Sequence, residues 1–239
     1  MKVLDVSDLQ KGGEETIHML ANLRNSIQHV KTSIKAIVDL EESLNGQGGE
    51  AIRTFYQEVH LPFLTYLEQF ISQYEAAIQT MLDSMNQFEP SPNGVIQEGF
   101  LEQEVEAGLH KVSTVTTELV QEVNQVVSGV QDIVSLSPVD DSAFLQQIQQ
   151  ARNKKEQTVQ QLHEFDQTQS NQLSDLKQSL STMHQYIESI ASQFEAEDIS
   201  IDHYQSGQLQ SVEEWKSINQ DSFNQWKSGN LSIKQQQNH

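Results

Sequence analysis

Ser43-Leu44-Asn45-Gly46-Gln47-Gly48-Gly49-Glu50 is a glycine-rich interruption between two long runs of helical period. Glycine tolerates positive φ and costs about 1 kcal/mol inside a helix, so this cluster ends one helix and lets the chain turn back. The stretch predicts a helical hairpin turning at Leu44-Asn45-Gly46.

Upstream of the turn, Ser7-Asp8-Leu9-Gln10 has the form of a capping box and predicts a helix over about 7–44. Leu20, Ile27 and Ile34 recur at heptad spacing, and Leu23, Val30, Ile37 and Leu44 fill the second heptad row. A helix over about 50–88 follows the turn. Its rows are heavier, with Phe63, Phe70 and Ala77 in one and Leu67, Tyr74, Met81 and Phe88 in the other, and Phe55 and Tyr56 lie nearer the turn. Pro62 lacks an amide donor and crowds the preceding turn, which predicts a kink near His60-Leu61.

Glu89-Pro90-Ser91-Pro92-Asn93-Gly94 reads as a loop, and Val105, Val112, Leu119, Val126 and Ile133 then mark a helix over about 100–134. β-Branched residues lower helicity, so that helix depends on a partner surface. After Ser135-Leu136-Ser137-Pro138 a fourth helix, about 143–197, would run roughly 80 Å. Its seam includes Val159, Leu162, Leu173, Leu176, Leu180, Met183, Ile187, Ile190 and Phe194, with Asp166 and Gln169 as a polar stretch. Residues 201–239 read as a linker and a short helix carrying Val212, Trp215, Ile218, Phe223 and Trp226. The fold class expected is all-α, an elongated bundle of long helices with an N-terminal hairpin.

The totals narrow the chemistry. A formal charge of −20 repels nucleic acid and anionic membrane surfaces. The absence of cysteine excludes disulfides, thiol catalysis and thiolate metal sites. No stretch has the roughly 18 apolar residues that a membrane span needs, and Met1-Lys2-Val3-Leu4 opens no ordinary signal peptide. Gly46-Gln47-Gly48-Gly49 lacks the lysine of a phosphate loop. Glu15-Thr16-Ile17-His18 is a single Glu-x-x-His where a di-iron bundle needs two, and the other histidines are scattered. No catalytic residues, metal or cofactor are expected, and the chemistry left to such a chain is the binding of helices.

Three stretches carry a family resemblance: Met1-Lys2-Val3-Leu4-Asp5-Val6-Ser7-Asp8-Leu9, the block from Val38 through Leu44-Asn45-Gly46 to Leu61-Pro62-Phe63, and Asp132-Ile133-Val134-Ser135-Leu136 with Leu162-His163-Glu164-Phe165-Asp166. On these the chain resembles the LXG domain, the N-terminal module of polymorphic toxins of interbacterial competition exported by type VII (ESX-like) secretion systems, especially its Bacillus-type members. Leu44 and Gly46 match the motif, in the place where the related WXG proteins carry Trp-x-Gly.

The resemblance implies a delivery domain over residues 1–200 and a segment, 201–239, leading to a C-terminal toxin domain not contained in these residues. The chain is then either the N-terminal part of a toxin or a degenerate stand-alone member. It implies small WXG-like helical partners, the secretion machinery as a further partner, and export from the cytoplasm. The seam expected to meet partners is Leu23, Ile27, Val30, Ile34, Ile37, Phe63, Leu67, Phe70 and Tyr74, and Phe194 with Asp198 fits the aromatic-x-x-x-acidic form of an export signal. The rival from another class is a self-associating coiled-coil scaffold or phage-type structural protein.

Overall fold

The first helix begins earlier than its Ser-x-x-Gln pattern predicts, because Asp5 is the capping side chain. Its Oδ1 accepts the Asp8 amide at 3.2 Å and the Ser7 hydroxyl at 2.8 Å, and these bonds hold its carboxyl below the ordinary range. The computed structural model describes residues 1–219, and its long elements are all α-helical. In order they are strand β1 (Val3–Asp5), α1 (Val6–Val38), α2 (Gly46–Phe55), α3 (Leu61–Phe88), strand β2 (Val95–Gln97), α4 (Glu106–Gly129) and α5 (Ser142–Glu195). A 3-10 turn at Ile201–His203 and a short helix at 213–219 follow. Phe223 and Trp226 lie outside the described residues.

The chain divides into two compact units. One comprises Met1–Lys11 and Leu82–Gln169, the other Gly12–Met81 and the residues from Ser170 on. In the first, β1 and β2 pair antiparallel with Leu4 opposite Ile96, a pairing the helical period gave no sign of. Glu98 pins it: the Lys2 amide donates to Glu98 Oε2 at 2.5 Å, and His163 Nε2 of α5 lies 2.6 Å from Glu98 Oε1. Those two partners, His163 first, hold the Glu98 carboxyl below its usual range. Asp166, read as part of the polar stretch of the α5 seam, is exposed and takes the Lys2 ammonium. Gln169 is buried, with its Oε1 lacking a partner among the described residues.

In the second unit, α1 stops at Val38 rather than near residue 44, and α2 starts at Gly46 rather than at Glu50. Gly46 sits at φ +73°, and a Cβ on Gly49 would lie 2.4 Å from the Leu44 carbonyl oxygen, so both positions require glycine. Asn45 closes the turn by donating from Nδ2 to the Glu42 carbonyl at 3.0 Å.

The irregularity expected at Pro62 is a π-helical turn, Tyr56–His60, with the Leu61 amide reaching back to the Tyr56 carbonyl. Proline has no amide to serve the carbonyl four residues before it, that of Glu58. Trp215 Nε1 donates to that oxygen at 3.0 Å, and the Tyr186 hydroxyl donates to the neighbouring Val59 carbonyl at 2.9 Å. The segment read as a linker is thus part of the core. Tyr204, Leu209 and Ile218 are buried with Phe55, Val59 and Tyr66, and Phe63, Leu67, Phe70 and Trp215 pack against them.

Candidate functional site

Three sorts of surface bear on function: the turn, the heptad rows, and the polar pocket beside the turn. Leu44 is half-buried while Asn45 and Gly46 are exposed. A shallow cavity of about 440 Å³ next to them is lined by Gln47, Glu50, Ala51, Thr54 and residues 202–206. Among the described residues no group of three His, Cys, Asp or Glu could hold a metal.

Two lining residues of this pocket, Tyr204 and Ser206, are held in place by Glu58. Its carboxylate accepts the Tyr204 hydroxyl at 3.0 Å, the Ser206 hydroxyl at 2.5 Å and the Gly207 amide at 2.9 Å, which ties the segment after α5 onto the π-turn. Burial and the Glu58 charge push the Tyr204 hydroxyl pKa upward, and burial does the same to Tyr186. His60, stacked on Tyr56, is pushed down by burial. Glu58, Tyr186 and Tyr204 are thus engaged in structural hydrogen bonds, and His60 in ring contacts with Phe55 and Tyr56.

The heptad rows separate into covered and uncovered. On α1, Leu20, Ile27 and Ile34 are buried, while Leu23 and Val30 are about half exposed and Ile37 is half-buried. On the part of α5 in the same unit, Leu176 and Met183 are buried, while Leu173, Leu180 and Ile187 are about half exposed. Of the remaining seam residues, Phe63, Leu67 and Phe70 pack on the unit's own core, and Tyr74 is half-buried with its ring 6.1 Å from that of Phe70.

In the other unit, α4 exposes Val112, Val115, Leu119, Val123 and Val126, a continuous stripe at three- and four-residue spacings. Its opposite flank is held by polar bonds to α5 and to the connection that precedes it. Arg152 and Lys155 grip Glu106 at 3.0 and 2.7 Å, and Asn124 exchanges two hydrogen bonds with the backbone of Val139.

Phe194 and Asp198 part at the end of α5. Glu197 adopts φ +58°, the Asp198 amide returns to the Gln193 carbonyl at 3.0 Å and the Glu197 amide to that of Phe194 at 3.1 Å, a Schellman closure. Phe194 is half-buried, its ring 5.6 Å from that of Phe55, and Asp198 is exposed.

The model of the LXG domain of the WXG superfamily matches residues 2–203. The chain belongs to the LXG family. A curated relative, Toxin YxiD of Bacillus subtilis (strain 168), is 33% identical over 220 residues; the aligned region is 92% of this chain and 39% of the relative's length. The LXG match ends before Leu209, Trp215 and Ile218, although these complete the core of the same unit. Among the described residues, no helix of this LXG chain is long and apolar enough to cross a membrane.

The residues that sequence reasoning missed are Glu58, Tyr186 and Tyr204. The available signal was Pro62, since a proline inside a helix announces a carbonyl in need of a donor.

Proposed function

We propose that this LXG chain is the non-catalytic delivery module of a polymorphic toxin, and that it binds small WXG-like helical proteins to form the substrate of an ESX-like secretion system. The observation that carries the reading is the set of uncovered aliphatic rows on α1, α4 and α5. Such rows lie at the spacing by which one helix packs on another, and covering them is favourable by about 25 cal/mol per Å² of apolar surface. Family membership and the similarity to a protein named as a toxin supply the context. On this reading the toxic activity belongs to a separate C-terminal domain, and the module leaves the cytoplasm through the secretion machinery. Leu44-Asn45-Gly46 sets the hairpin, and Phe194 with Asp198 contributes to recognition by the machine.

The test is export. Residues 1–239 fused to a reporter are expressed in a host with an intact ESX-like system and in one lacking its motor ATPase, with and without the small helical genes adjacent to the toxin. Reporter in the medium that depends on both motor and partners is the expected result. Retention in every strain overturns the reading and leaves the self-associating scaffold ahead.

A further inference from the structure

Within the unit formed by Gly12–Met81 and the residues from Ser170 on, α1 and α3 run antiparallel. Arg24 pairs with Glu75, and Lys31 Nζ lies 2.5 Å from Glu68 Oε2. α5 also runs antiparallel to α2–α3, since Phe55 meets Phe194 and Phe63 stacks on Tyr186. Carrying these two registrations along the helices sets Leu23 level with Leu173, Val30 with Leu180, and Ile37 with Ile187. The uncovered rows of two parallel helices are therefore in step.

Their directions agree as well. At about 100° per residue, the row of Leu23 and Val30 lies about 60° to one side of the buried row of Leu20 and Ile27, and Arg24 and Lys31, which face α3, lie on the other side. On α5 the row of Leu173 and Leu180 lies about 60° from buried Leu176 and Met183, on the side away from Tyr186, which faces α3. Both rows therefore turn away from α3 into one groove, and buried Ile27, Ile34, Leu176 and Met183 supply the aliphatic rows between them.

We infer that this α1/α5 groove is the seat of one amphipathic helix from a foreign helical protein, aliphatic in both heptad positions, which completes a four-helix bundle. The inference rests on the delivery reading and locates its partner site. Period and register specify a helix as the occupant. Charge specifies a foreign one, because a second copy would set a chain of formal charge −20 against another. The groove's own rim carries Ser26, Ser33, Ser181 and Lys177, with exposed Glu188 paired to His184 at one end, so a helix whose flanks are uncharged or carry a few acids meets little local repulsion. From Leu23 to Ile37 the rows run about 21 Å, four turns of helix.

The chain contains no cysteine, so Ser181→Cys accepts a single environment-sensitive fluorophore at the rim. The probe is a synthetic helix of about 28 residues, four heptads, with leucine in both heptad positions and glutamine and glutamate elsewhere. Added to labelled residues 1–239 it shifts the emission to the blue. Val30→Glu with Leu180→Glu weakens its binding about tenfold or more. Val115→Glu with Leu119→Glu on α4 leaves it unchanged. Circular dichroism and melting temperatures of both double variants match the parent, because the substituted positions are about half exposed.

No binding, or equal binding to both double variants, overturns the groove. So does sedimentation that shows the parent as a dimer made monomeric by Val30→Glu with Leu180→Glu, since a second copy is then the occupant. In the export assay, wild-type export of the groove variant sinks the groove and spares the delivery reading. Failed export of the parent with groove binding intact sinks the delivery reading alone.

Discussion

The turn end of the second unit and helix α4 of the first are both built from heptad rows, yet one is closed and the other is not. Around Phe55 and Tyr186 the chain spends aromatic side chains, and the carbonyls that Pro62 and the π-turn disturb receive donors from Trp215 and Tyr186. Along α4 it spends valine, and Val126 remains 67% exposed although a well-packed aliphatic helix would bury such a position. A helix rich in β-branched residues gains little from its own backbone, so its apolar face has to be covered by packing. The contrast teaches that this chain completes its own fold at the turn and leaves aliphatic rows uncovered elsewhere.

The largest test of that contrast is Phe55→Ala. Phe55 is 2% exposed at the centre of the aromatic cluster, and its truncation should cost about 3–5 kcal/mol in urea unfolding. A loss as small as that of a surface site would show that the turn end is no core.

Next comes Trp215→Phe, which keeps an aromatic ring but strips the donor from the Glu58 carbonyl, at a cost of about 1–3 kcal/mol. With Pro62→Ala, residue 62 regains an amide for that oxygen, so the same substitution should cost less in this background. An unchanged cost in the double-mutant cycle would break the link between the proline and the indole.

A smaller effect is expected at Glu98, and it depends on pH. Its carboxyl is held below the ordinary 4.5, so the stability it contributes is complete above that pH and disappears as the pH falls through the lowered value. Glu98→Gln should flatten the acid limb of the stability curve, and exchange of the Val3–Asp5 amides should speed up at neutral pH. Smallest of all is Leu119→Gln on α4, where the side chain is 55% exposed and the change should stay within about 0.5 kcal/mol in thermal melts. A larger loss would mean that α4 is already packed.

Much of this was legible in the sequence, for reasons that differ between elements. The period of seven revealed α1, α3, α4 and α5, and Gly46 and Gly49 announced the reversal because only glycine tolerates their backbone. Period does not tell which of two equivalent rows a chain keeps for itself. Ile27 and Val30 read alike, and burial separates them only once α3 and α5 are in place. Long-range polar bonds leave no local trace either: the indole of Trp215 and the carbonyl of Glu58 are 157 residues apart. The seam expected on Phe63, Leu67 and Phe70 packs on the unit's own core because the segment after α5 folds back on it.

The strand pair at the start of the chain sets a clock. Lys31 and Glu68 of the helical hairpin are 37 residues apart, but Lys2 and Glu98 are separated by 96, and contacts so distant in sequence form late. A ribosome adding about 5–20 residues per second leaves Met1–Asp5 waiting on the order of ten seconds for its mate to emerge. Throughout that interval the first residues carry unpaired backbone, while the hairpin behind them is already able to close. Synthesis thus imposes an order of events, the α1–α3 hairpin first, the strand pair next and the aromatic core around Trp215 last, and a nascent chain arrested before Glu98 leaves β1 without its mate.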